Sequence, residues 1–118
     1  MEEQKSAMPV VSPDTFFSLD IRVGTVVDAE EFPEARKPAY RLWIDFGPLG
    51  VLQSSAQLSE RYSPENLKGR QVVAVTNIGS RRVAGFRSDC LVLGVNDGEG
   101  AVVHLCPERP VTDGERVY

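Results

Sequence analysis

The residues best equipped for chemistry lie in the stretch NIGSRRVAGFRSDCLVLG, residues 77–94. Arg81, Arg82 and Arg87 fall close together there, with Phe86 among them and no carboxylate before Asp89. A guanidinium donates paired hydrogen bonds in a planar fork that matches phosphate oxygens, so such a cluster suits an anionic polymer. The competing reading of each arginine is a solvated loop charge or an ion pair. Phe86 also has two readings: a platform for an unpaired base, or a plug in the core, the latter slightly favoured. Gly85 beside it permits a positive-φ turn. A second basic pair, Arg36 and Lys37, sits in PEARKP between two prolines. Ser54, Ser55 and Gln57 carry groups that can hydrogen-bond sugar or phosphate, although either serine could equally cap a following helix. Asn77 and Ser88 flank the arginine stretch and could serve in either way. Tyr40 and Trp43 stay open between a binding face and a packed one.

Catalytic chemistry finds little support. His104 is the single histidine, embedded in VVHLC, where a structural role is the ordinary one. The sequence has no glycine-rich phosphate loop and no nucleophile-elbow motif. Glu30 and Glu31 would alternate faces at a strand end and so make no acid/base pair. Cys90 and Cys106 lack metal or redox spacing and are expected as buried free thiols. The expectation is a non-enzyme with no catalytic residue, no metal site and no cofactor.

The elements that must position these residues read as short strands. At 118 residues and 42% hydrophobic, the chain has the size of one domain with a modest core. No apolar run approaches the ~20 residues of a membrane helix, and the N-terminus lacks a signal-peptide pattern; the expected compartment is the cytoplasm, without membrane insertion. The net charge of −4 conceals a partition. Residues 1–35 hold two basic and eight acidic side chains, residues 36–87 nine and three, and residues 88–118 two and six. A basic middle between acidic ends hints at an anionic partner, unless the segments interleave in space and cancel.

Ser12, Pro13 and Asp14 signal a short helix start. LDIRVGTVVDAEEF alternates as a long strand, with Leu19, Ile21, Val23, Thr25 and Val27 on one face, and Gly24 marks a bend. YRLWIDFG and VLQSSA are two more strands. QLSERYSPENLKGR carries a Ser63-Pro64 helix start and a Lys68-Gly69 stop. QVVAVTNI, DCLVLGV and AVVHLCP are strands again, and the terminal RVY could pair with a neighbour. Three strands, a connector helix and further strands is the order of the OB-fold, a five-stranded barrel that binds oligonucleotides, with another small β-barrel as the alternative.

The motifs LDIRVGTVVDAEEFPEARKPAYRLWIDFG, SSAQL and NIGSRRVAGFRSDCLVLG, in that order and spacing, resemble the tRNA-binding domain family from about Phe16 to the C-terminus. The chain departs from synthetase-type modules in carrying Phe32-Pro33 where they usually carry His-Pro, and SRRVAG where they are lysine-rich. The resemblance implies an all-β, five-stranded OB-fold barrel with a short connector helix, forming one domain over residues 1–118. It further implies terminal extensions, residues 1–13 and 107–118, joining two copies in a homodimer. The implied ligand is tRNA, held by Arg36, Lys37, Ser54, Ser55, Gln57, Asn77, Arg81, Arg82, Phe86, Arg87 and Ser88. The family's free-standing bacterial members, described as export-related chaperones, imply a further partner class: unfolded preproteins and the secretion machinery. The alternative is therefore a preprotein-binding chaperone in which RNA binding is secondary.

Overall fold

The computed structural model describes residues 7–118; residues 1–6 of the expected N-terminal extension lie outside the described residues. The chain opens with α1 (Pro13–Phe17), begun as its sequence predicts: the Ser12 side chain accepts from the Thr15 amide and proline occupies the first turn. Strands β1 (Ile21–Glu31), β2 (Tyr40–Asp45) and β3 (Val51–Ala56) then form an antiparallel meander. The expected connector helix is a single turn, α2 (Pro64–Leu67), fixed by reciprocal bonds between Ser63 and Asn66. Its Leu67 is fully buried in the core, a placement worth roughly 1.5–3 kcal/mol of burial.

Strand β4 (Gln71–Val75) returns along β1. The arginine stretch forms a hairpin of β5 (Arg81–Val83) and β6 (Phe86–Ser88). The DCLVLGV run divides into β7 (Leu91–Val92), on β4, and β8 (Gly94–Asn96), which pairs with β9 (Val102–His104). The main sheet runs β3-β2-β1-β4-β7. Its two ends approach each other through a seam: the Asp89 amide donates to the Gln53 carbonyl at 2.8 Å, and the Ser54 hydroxyl to the Cys90 carbonyl at 2.9 Å. The result is a nearly closed five-stranded antiparallel barrel, an OB-fold. Leu42, Ile44, Phe46, Val72 and Ala74 fill it with no exposed surface. No helix among the described residues is long and apolar enough to cross a membrane.

Two expectations need correction. On β1 the lumen-facing position is Gly24, whose added Cβ would lie 2.7 Å from Ile44 Cγ2 and from Phe46 Cδ1. A register shift between Val26 and Asp28 then leaves Val27 exposed while Val26 and Ala29 are buried. Ile21 and Val23 are also buried, but on the opposite face from Gly24, since they are an odd number of residues from it. That end of β1 is flanked by the C-terminal tail. Val23 N donates to the Glu115 carbonyl, Gly114 N to Val23 and Val117 N to Ile21, so the terminal RVY does pair, with β1 of its own chain. The second correction concerns the thiols. Cys90 is buried, and burial pushes its thiol up to about 12, whereas Cys106 is exposed because AVVHLCP leaves its strand at His104.

Candidate nucleic-acid interface

The β5–β6 hairpin turns through Ala84 and Gly85, both with positive φ (47° and 84°). That is the backbone of a primed two-residue turn, whose twist suits a tight hairpin. Ala84 holds this conformation without being glycine, at a cost of roughly 1–2 kcal/mol. The register pairs Arg81 with Ser88, Arg82 with Arg87 and Val83 with Phe86. Directly opposed residues share a face and neighbours alternate, so the arginines divide: Arg82 and Arg87 project on one side, Arg81 on the other with Phe86 and Ser88.

Two like charges sit directly opposite each other at Arg82 and Arg87, an arrangement that destabilises a hairpin. Arg82 reaches the Gly85 carbonyl at 3.1 Å. Arg87 is braced by Asp89 at 2.7 Å and by the Ser80 hydroxyl at 3.2 Å. Burial raises the proton affinity of Asp89, but the hydrogen bonds from Ser80 and Arg87 outweigh it and hold the carboxyl below its ordinary range. Arg81 makes no ion pair among the described residues.

The side of the hairpin bearing Phe86 lies on the outer surface of β2 and β3. On β2, Leu42 and Ile44 point into the core, so Arg41 and Trp43 point outward, paired across the ladder with Ser55 and Gln53. Phe86 meets Trp43 edge to face at 5.7 Å and Phe32 at 5.5 Å. It is therefore neither a plug in the barrel lumen nor a free platform; it is half-buried in an aromatic cluster outside the barrel. Phe32 begins the β1–β2 loop that carries exposed Arg36 and Lys37, so this contact joins the bases of the two basic loops. Arg36 also borders an open groove of about 430 Å³ with Phe32, Pro33, Pro38, Tyr40 and Ser59.

The polar residues separate by role. Ser55 lies at the surface, its amide donating to the Ser88 hydroxyl at 3.0 Å. Ser54 is buried and bonded to Cys90, so it belongs to the seam and not to the surface. Gln57 is exposed just beyond β3. Asn77 stands away from this group in its bonding: it accepts from the Asp20 amide at 2.7 Å and donates to the Ser18 carbonyl at 2.9 Å, tying β4 to the α1–β1 junction. Arg41 was missing from the residues that sequence singled out. Its guanidinium lies 5.2 Å from the Phe32 ring and 3.1 Å from Glu30, while its buried Nε has no hydrogen-bond partner among the described residues. The strand alternation that turns Trp43 outward was the available signal.

The barrel, with basic loops beside its β2–β3 face, is of the OB-fold class, whose members use that face and its flanking loops to bind oligonucleotides or oligosaccharides. The chain is a member of the tRNA-binding domain family: the family described as "Putative tRNA binding domain" matches residues 21–116. Among solved structures it is similar to the chaperone CsaA of Bacillus anthracis str. Ames, at 51% identity and a TM-score of 0.88, over 93% of this chain and 100% of that one. It is similar also to the CsaA chaperone protein of Picrophilus torridus, at 36% identity and a TM-score of 0.86, over 92% and 100% of the two chains. The methionine–tRNA ligase of Methanosarcina mazei is 31% identical over 114 residues, 97% of this chain but 16% of the ligase. The chain thus spans less than a fifth of the length of that ligase.

Proposed function

We propose that the domain is a non-catalytic tRNA-binding module whose binding surface is the β5–β6 hairpin, the β1–β2 loop and the outer face of β2 and β3. The observation that carries this reading is the Arg82/Arg87 pair. The hairpin sets two arginines against each other with a carboxylate, Asp89, on Arg87 alone. Arg82, and Arg81 behind it, have no ion pair among the described residues, and a polyanion would supply the missing countercharge. Membership of the tRNA-binding domain family makes tRNA the anion of choice. Arg81, Arg82 and Arg87 would contact phosphates with Arg36 and Lys37, while Ser55, Gln57 and Ser88 would reach sugar or phosphate oxygens. Phosphate contact and RNA shape would dominate over base-edge reading. The site needs no metal or cofactor, and the cytoplasm is where such a ligand is met.

A second reading is favoured by the similarity to two CsaA chaperones and by exposed apolar residues near the N-terminus. Val10, Val11 and Phe17 are 99%, 61% and 49% exposed. Such surface suits a second copy of the chain, an extended preprotein segment, or both in turn. Binding of total tRNA and of an unfolded preprotein, followed by anisotropy at two salt concentrations, separates the readings. The RNA reading expects salt-sensitive tRNA binding. Replacing Arg81, Arg82 and Arg87 together by alanine should then lower the salt slope by about 0.7–0.9 for each phosphate no longer neutralised. Unchanged tRNA binding in the triple variant rejects the site, and preprotein binding without tRNA affinity puts the chaperone reading first.

A further inference from the structure

We propose that Phe86 is a positioning residue: it clasps the arginine hairpin to the β1–β2 loop, and RNA binding depends on it through hairpin geometry and not through stacking on a base. This inference rests on the RNA reading and adds to it a residue role.

Three observations converge. First, Phe86 already has aromatic partners on two sides, Phe32 at 5.5 Å with the rings inclined at 68° and Trp43 at 5.7 Å with the rings at 79°. These are edge-to-face contacts of favourable geometry, and they join three separate segments: the β1–β2 loop, β2 and the hairpin. Second, the hairpin is tied to the barrel beside this cluster by a polar strut. The Trp43 indole donates to Gln53 Oε1 at 3.3 Å, and Gln53 Nε2 donates to the Arg87 carbonyl at 2.9 Å. One orientation of the Gln53 amide satisfies both bonds, so the indole and the backbone under Arg87 fix each other. Third, Arg82 and Arg87 occupy the face of the hairpin opposite Phe86. Seating Phe86 therefore aims the Arg82 and Arg87 guanidinium groups away from the barrel, while Arg81, Val83 and Ser88 share the face turned toward it. Without the clasp the hairpin keeps its charge and loses its orientation, and binding must then supply the ordering that the free protein no longer holds.

The test uses Phe86→Ala, Phe86→Leu and Gln53→Ala in the full chain, with tRNA anisotropy across a salt series. Trp43 is the only tryptophan and sits in the cluster, so its emission in the absence of RNA reports whether the clasp is seated. The clasp predicts that Phe86→Ala shifts that emission and weakens tRNA binding by about tenfold or more, with the salt slope retained because every arginine remains. Phe86→Leu, which keeps apolar bulk but offers no aromatic face, should bind within about threefold of the original. If leucine is as damaging as alanine while the RNA-free Trp43 emission stays unshifted, the ring acts on the RNA and the clasp is overturned; if alanine binds normally, it is overturned as well. Should Phe86→Ala fail to fold, Phe86→Leu and Gln53→Ala carry the test. Weakened binding in Gln53→Ala with leucine tolerated supports the clasp, and the reverse rejects it. An original chain that binds no tRNA overturns the RNA reading itself, an outcome distinct from any failure among the variants.

Discussion

Ser54 and Ser55 are neighbours with opposite roles. The pleat of β3 sends successive side chains to opposite faces, so the Ser54 hydroxyl enters the seam against Cys90 while Ser55 stays on the surface beside Ser88. Ser54→Ala leaves the buried Cys90 carbonyl with only a long bond from Ser88 at 3.5 Å, and should cost about 1–3 kcal/mol of stability. A urea midpoint should show that decrease, with tRNA affinity unchanged for the folded fraction. Ser55→Ala should leave the midpoint within about 0.5 kcal/mol. Any effect it has should appear in RNA binding, and reversal of the two patterns would exchange the assignments. The sequence named both serines but could not divide them, because which face meets the seam depends on where the β6–β7 segment closes the barrel. Phe86 was ambiguous for a similar reason. Its surroundings, Phe32 and Trp43, come from segments far away in the chain.

Strand order was legible because local signals agree with one another. Serine-proline starts, glycine stops and period-2 runs mark β1 to β4 and both helices close to their observed positions. The phase of β1 was not legible. One end of the strand is covered on both faces, since Ile21 and Val23 are buried opposite Gly24 and half-buried Arg22, and alternation alone then selects the larger apolar side chains for the lumen. The hairpin β5–β6 was hidden by its charge, since RRVAGFR reads as a loop until the Ala84-Gly85 turn pairs its arms. Gly24 offers a direct test at this scale. A methyl group there meets Ile44 and Phe46, both fully buried, so neither ring nor branch has solvent to move into. Gly24→Ala should destabilise by about 1–3 kcal/mol through overpacking, read as a lower urea midpoint with an unchanged slope. A neutral effect would mean that β1 does not face the lumen at this residue.

Across the whole molecule, folding rearranges the charge that the sequence keeps in blocks. Four of the nine basic residues in the middle segment pair with carboxylates of the flanking segments: Arg41 with Glu30, Lys68 with Asp28, Arg61 with Asp97 and Glu99, and Arg87 with Asp89. Among the described residues, those left without an ion pair are Arg36, Lys37, Arg70, Arg81 and Arg82. Four of these five lie on the two basic loops. The acidic ends thus neutralise part of the basic middle, including Arg41 and Arg87 of the candidate surface itself, while Arg36, Lys37, Arg81 and Arg82 sustain that surface's field. The same pairings set the response to acid. Arg22, chiefly by its hydrogen bond, holds the Asp20 carboxyl below its ordinary value, with Arg116 adding to the effect. Asp97 is lowered by the Glu99 amide first and Arg61 after, and Asp89 by Ser80 and Arg87 against the opposing effect of burial. Each of these groups binds its proton more weakly in the folded chain than in the unfolded one, where a carboxylate titrates near about 3.9. The sign follows: their stabilisation is fully present above that unfolded value, and it is lost as pH falls below it through the lower folded values. Thermal midpoints should therefore be insensitive to these three groups from neutral pH down to about 5, then fall steeply in more acid solution. Asp20→Asn should lower the neutral midpoint and flatten the acid decline, because the variant has one fewer depressed carboxylate to protonate. An acid arm as steep in Asp20→Asn as in the original chain would show that the junction of α1, β1 and the C-terminal tail is not held by this charge.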